Sequence, residues 1–153
     1  MKEIDRYNWG RLNHLQLGKY AEYFVKMEFT LFGFAVYDSE VDDRGIDFVV
    51  RKDENNYYDV QVKSIRGSTE YIFLQKDKFS PRKNLFAAIV LFFDGKPPQL
   101  YLIPSESWLT PDALLVSHDY EGKKSKPEWG LNLSKRNLPL LSHFAFDDVV
   151  QKI

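Results

Sequence analysis

The chain has 153 residues, 44% of them hydrophobic and 28% charged, the balance of one globular domain with room for one core. It has no cysteine, which excludes a disulfide scaffold, a thiolate zinc site and a cysteine nucleophile. Lys and Arg number 21 against 22 Asp and Glu, and the net charge of −1 argues against a strong non-specific nucleic-acid binder, although a local basic patch could still hold a backbone.

Aromatic residues make up 16%, so the core is expected to be packed with rings. The opening MKEIDRYNWGRLNH has no apolar run, and no window approaches about 18 apolar residues. No signal peptide or membrane span is expected, and the cytoplasm is the simple location. His14, His118 and His143 have no metal-cage spacing, and His118 and His143 read as ordinary polar residues.

Residues 1–12 read as a loosely packed arm or a short helix. From Leu15, the positions Leu17, Ala21, Phe24, Val25 and Phe32 recur at helical spacing, with Tyr20 and Leu31 flanking that face. Gly33 closes the helix. FAVYD (34–38) is a first strand and IDFVV (46–50) a second, after a turn at SEVDDRG. RKDENN is dense in turn formers, and YYDVQVKS (57–64) completes a hairpin. A loop follows, with an extended piece at Tyr71–Leu74 and then a turn or short helix that Pro81 ends. LFAAIVLFF (85–93) has no charge and suits a strand buried on both faces. QLYLIP (99–104) is the next strand, and Ser105 is placed to cap a helical turn. Residues 110–137 read as irregular and 138–153 as a final helix. Trp108 and Trp129 are expected to be core rings rather than a docking surface.

Side chains alternate along a strand, so Asp59, Gln61 and Lys63 share one face while Val60 and Val62 pack on the other. If the second and third strands pair as a hairpin, Asp47 sits beside Gln61 and Lys63. Glu22 lies at the margin of the helix's apolar side. A hairpin salt bridge would account for Asp47 and Lys63 alone. Carboxylates, an amide oxygen and a lysine drawn from three elements instead suit Mg²⁺ or Mn²⁺ and phosphodiester chemistry.

The stretches Gly18-Lys-Tyr-Ala-Glu22, Arg44-Gly-Ile-Asp47 and Gln61-Val-Lys63 follow one another on helix, strand and strand. This pattern resembles the PD-(D/E)XK nuclease superfamily in a Gln-x-Lys form, over roughly residues 15–104. It looks most like the branch that holds Holliday-junction resolvases and modification-dependent restriction endonucleases. The resemblance implies an α/β fold with an αβββαβ core, a central mixed sheet flanked by helices. It implies Asp47 as the central metal ligand, Gln61 in place of the second acid, Lys63 as catalytic lysine and Glu22 as the helix acid. Gln61 brings no charge, so Asp59 or Asp43 would have to supply it. KSKPEWGLNLS (124–134) looks like the tail of small bacterial proteins with this core, a likeness that implies no activity.

The function expected is Mg²⁺-dependent hydrolysis of DNA by a single domain over 1–153, with residues 105–153 as an extension of the core. The alternative is an inactive nucleic-acid-binding or protein-interaction module on the same fold. Lys63, Arg66, Lys76, Lys78, Arg82 and Lys83, interleaved with Tyr71, Phe73 and Phe79, are candidates to line a phosphate backbone. Lys123, Lys124 and Lys126 read as a solvated loop. Specificity would come from the C-terminal third, a dimer or a protein partner, and symmetric duplex cutting would favour a homodimer.

Overall fold

A computed structural model describes residues 5–41 and 45–153. Helix α1 (His14–Leu31) opens on a reciprocal cap: the Asn13 side chain accepts from the Gln16 amide and the Gln16 side chain accepts from the Asn13 amide, each at 2.9 Å. Its end is equally defined. Gly33 has φ +89, and the Phe34 amide reaches back to the Phe29 carbonyl while the Phe29 and Phe34 rings meet at 5.4 Å. Leu17, Ala21, Val25 and Phe29 form its buried stripe. Phe32 and Leu31, expected on or beside that stripe, are exposed, and Phe29 takes the deep position instead.

The central sheet has the order β1-β2-β3-β5-β6. Its strands are β1 (Ala35–Asp38), β2 (Phe48–Arg51), β3 (Tyr57–Arg66), β5 (Leu85–Phe92) and β6 (Gln99–Pro104). Only β3 and β5 run parallel; the other pairs are antiparallel. All eight residues of β5 are buried, and alternation splits them between two cores. Phe86, Ala88, Val90 and Phe92 join α1, Val60, Leu102 and Phe146 on one face. Leu85, Ala87, Ile89 and Leu91 join Trp108, Leu131 and Leu141 on the other.

That second core is roofed by a smaller sheet of order β4-β8-β7. It combines β4 (Tyr71–Gln75) from the β3-to-β5 crossover with β7 (Leu115–His118) and β8 (Glu128–Asn132). The crossover thus carries a strand where the αβββαβ order has a helix, and residues 110–137 are not wholly irregular. β4 alternates two core residues, Ile72 and Leu74, with Tyr71, Phe73 and Gln75 facing outward. β4 is an edge strand of this sheet and takes its ladder bonds from β8.

Three further expectations are corrected. The C-terminal stretch is two short helices, α2 (Leu138–Leu141) and α3 (Phe146–Val150), because a 3-10 turn at Ser142–Phe144 breaks the run. Of the two alternatives for residues 1–12, the described part shows the short helix, a 3-10 turn at Trp9–Arg11, and Trp9 is buried rather than part of a loose arm. Its amide donates to the Asp94 carboxylate at 3.2 Å, and its indole N–H is shared by the Phe93 and Lys96 carbonyls. Ser105 does not cap a helix; its hydroxyl donates to the Arg82 carbonyl and accepts from the Arg82 amide. Among the described residues, no helix is long and apolar enough to cross a membrane.

Candidate functional site

The β2–β3 register pairs Phe48 with Val60, which sets Asp47, the residue just before β2, alongside Gln61. The Asp47 amide donates to the Val60 carbonyl at 2.9 Å. Its carboxylate Oδ2 accepts from the Val62 amide at 2.7 Å, so the side chain is fastened between the positions of Gln61 and Lys63. A charge-assisted bond of this kind is both short and orienting.

Gln61 and Lys63 lie level with Ala87 and Ile89 of β5 and face the smaller sheet. There they line a groove of about 340 Å³ with Gly45, Phe73, Gln75 and Lys78. At about 30 Å³ per water, this space holds roughly ten waters, enough for a hydrated cation and a phosphate group. The Gln61 side-chain oxygen is buried with no hydrogen-bond partner. Leaving such an atom unsatisfied costs about 1–3 kcal/mol, and a cation would relieve it. Gly45 keeps the space open. Its φ is +73, and an added Cβ would stand 2.9 Å from the Lys78 carbonyl oxygen and 3.6 Å from the Gln61 oxygen. Lys63 has no ion-pair partner among the described residues, which leaves its ammonium for the groove.

Glu22 belongs to the opposite layer. α1 packs on the Val60 face, and Glu22 pairs with Lys19 at 3.5 Å on its own helix. Lys26, one turn further on, lies over the Phe48 ring at 5.6 Å, so Glu22 flanks the Asp47 end of β2 without lining the groove. Asp59 is also drawn elsewhere, since its carboxylate holds Arg82 at 2.6 Å. Asp59→Asn is therefore expected to leave metal binding unchanged and to cost no more than about 1 kcal/mol in urea unfolding, since the asparagine oxygen can still accept from Arg82; a lost metal site would return Asp59 to the groove. Asp43, with Asp42 and Arg44, lies outside the described residues. Among the described residues no three His, Cys, Asp or Glu cluster as a metal cage; beside the groove the oxygen-bearing side chains brought together are the Asp47 carboxylate and the Gln61 amide.

The basic run disperses. Arg66 donates to the Trp9 and Leu12 carbonyls at 2.9 and 2.6 Å, clasping the N-terminal segment. Lys76 pairs with Asp119 at 2.7 Å and stands over the Trp129 ring at 4.1 Å. Arg82 is held by Asp59. Of the six cations, only Lys63 and Lys78 line the groove. Trp108 is fully buried, as expected of a core ring, and Trp129 is half-buried with its indole N–H donating to the Phe79 carbonyl at 2.9 Å. Gln75 escaped the sequence reading altogether, and its signal was the alternation Tyr71, Phe73, Gln75 on an outward strand face.

No family model and no curated protein matches the chain. Among solved structures it is similar to Hjc, a Holliday junction resolvase from the archaeal hyperthermophile Archaeoglobus fulgidus. The likeness has a TM-score of 0.56 at 15% identity and covers 89% of this chain and 97% of that one. At this identity the likeness is one of fold. The chain has a mixed α/β architecture, a central mixed sheet flanked by helices, and this is the restriction-endonuclease-like fold of that resolvase.

Proposed function

We propose that the chain is a divalent-metal-dependent nuclease that hydrolyses phosphodiester bonds of DNA. The observation that carries this reading is the buried, unpartnered oxygen of Gln61 beside a carboxylate fastened to the same strand. The fold likeness to a resolvase supports DNA as the substrate class. Asp47 and Gln61 would hold Mg²⁺ or Mn²⁺, both hard ions suited to oxygen donors. Bound there, the ion supplies Lewis acidity toward a phosphate and an acidified water.

The chain's own residues do the rest. Asp47 brings the negative charge and is held at a fixed angle by the Val62 amide. Lys63 orients the attacking water and offsets charge that develops on the phosphate oxygens. Lys78 sits at the groove wall to receive the backbone. Glu22 adds negative charge from the helix layer without direct ligation. Two copies, each with one groove, would cut both strands of a duplex.

The uncharged Gln61 provides the test. Calorimetric titration with Mn²⁺ is expected to show binding to the wild type, tightened about tenfold or more in Gln61→Glu by the added charge. Supercoiled DNA should be nicked by both proteins. A folded wild type with neither metal uptake nor cleavage would make the chain a binding module on the nuclease fold.

A further inference from the structure

The smaller sheet has an outward face that runs out from the groove and carries aromatic side chains to which no role has yet been given. Tyr71, Phe73 and Gln75 of β4 stand on it opposite Asn132, Gly130 and Glu128 of β8, with Val116 and His118 of β7 beyond. Its rings are accessible: Phe73 is 48% exposed and Tyr71 36%. Gly130 is what lets the Tyr71 ring lie flat across the sheet, since a Cβ there would fall 2.7 Å from the ring and from Val116 Cγ2. The Tyr71 hydroxyl donates to the Glu128 carboxylate, which fixes the ring's angle. Burial, and next Glu128, raise the Tyr71 phenol well above its ordinary value, so it stays neutral. The aromatic row continues through His118, 6.3 Å from Tyr71, to Tyr120, stacked at 5.5 Å.

This row is continuous with the groove, because Phe73 belongs to both. Lys63 and Lys78 stand at the same end, so positive charge for phosphates meets flat apolar surface for bases. A preorganised ring costs little entropy when a base lands on it. We propose that the outward face of β4, centred on Phe73 and Tyr71, is a stacking platform for unpaired bases, and that the substrate offered to the groove is DNA with a single-stranded segment. The proposal rests on the nuclease reading and gives it a substrate class. A strand crossing the groove would set a phosphate between Lys63 and Lys78 and turn the neighbouring base onto Phe73.

The test is fluorescence anisotropy in EDTA, where no cleavage occurs, with an oligothymidylate of about 15 nucleotides and an abasic oligomer of equal length. The wild type is expected to bind the oligothymidylate about tenfold or more tightly than the abasic strand. Phe73→Ala should lose most of that difference and Phe73→Trp should keep it; the side chain is exposed, so neither change threatens the fold. Equal binding of both strands by a wild type that still takes up Mn²⁺ and nicks DNA would overturn the platform alone. A wild type that binds neither strand and takes up no Mn²⁺ would overturn both readings. Sedimentation provides a further arm. A wild-type dimer that Phe73→Ala dissociates, without any base preference, would give this face to a second copy of the chain and overturn the platform.

Discussion

Asp47→Asn should fold normally, take up no Mn²⁺ at micromolar concentration and nick supercoiled DNA on the order of a thousandfold more slowly than the wild type. The substitution is chosen for its economy. The amide oxygen of asparagine can still accept from the Val62 amide, the bond that in Asp47 spans 2.7 Å. The backbone bond from residue 47 to the Val60 carbonyl is untouched. What disappears is the charge. Gln61 is neutral and Asp59 is engaged with Arg82, so neither can replace it. Circular dichroism would establish the fold, calorimetry the metal and gel mobility the nicking. Cleavage at the wild-type rate by the variant would remove Asp47 from the reaction and with it the assignment of the groove.

Trp108→Ala has the largest effect expected on stability. The indole is fully buried among the second core residues and meets Phe79 edge-on, with centroids 5.6 Å apart. Its N–H donates to the Gly130 carbonyl at 2.8 Å. Truncation opens a cavity of indole size and removes that hydrogen bond, for a loss of about 3–5 kcal/mol. Set against a total of about 5–15 kcal/mol, this is a large share of the fold. It should appear as a fall of roughly 10 °C or more in the melting midpoint. Trp108→Phe, which keeps most of the apolar area and loses only the hydrogen bond, should fall much less. Equal losses in the two variants would mean that the hydrogen bond, not the packing, secures the smaller sheet.

The juxtaposition of Asp47, Gln61 and Lys63 was legible because strands have a period of two. Once YYDVQVKS was read as a strand, Gln61 and Lys63 had to share a face, and the turn-rich RKDENN put Asp47 alongside. β5 was legible for the opposite reason, since a run with no charge has two apolar neighbours. Periodicity gives faces but not partners. Nothing in the spacing of Tyr71–Gln75 says that it pairs with residues 128–132, and nothing in 110–137 shows β7 and β8 behind its prolines and glycines. The same limit dispersed the basic run. Arg66, Lys76 and Arg82 are spent on Trp9, Asp119 and Asp59, contacts made by tertiary folding between distant segments. Glu22 could be assigned to a helix margin from sequence, yet which layer that margin faced depended on α1 choosing the Val60 side.

The strand that replaces a helix in the β3-to-β5 crossover also has a cost in time. A helix closes its own hydrogen bonds as soon as it forms, whereas β4 waits for β8, with Tyr71 paired to Asn132 far down the chain. During synthesis the central sheet through β6 can assemble before residues 128–132 leave the ribosome, and in that interval Ile72 and Leu74 have no roof partner. The groove's Phe73 wall therefore sets only once residues 128–132 have emerged, and a nascent chain can form its central sheet through β6 before that wall is in place.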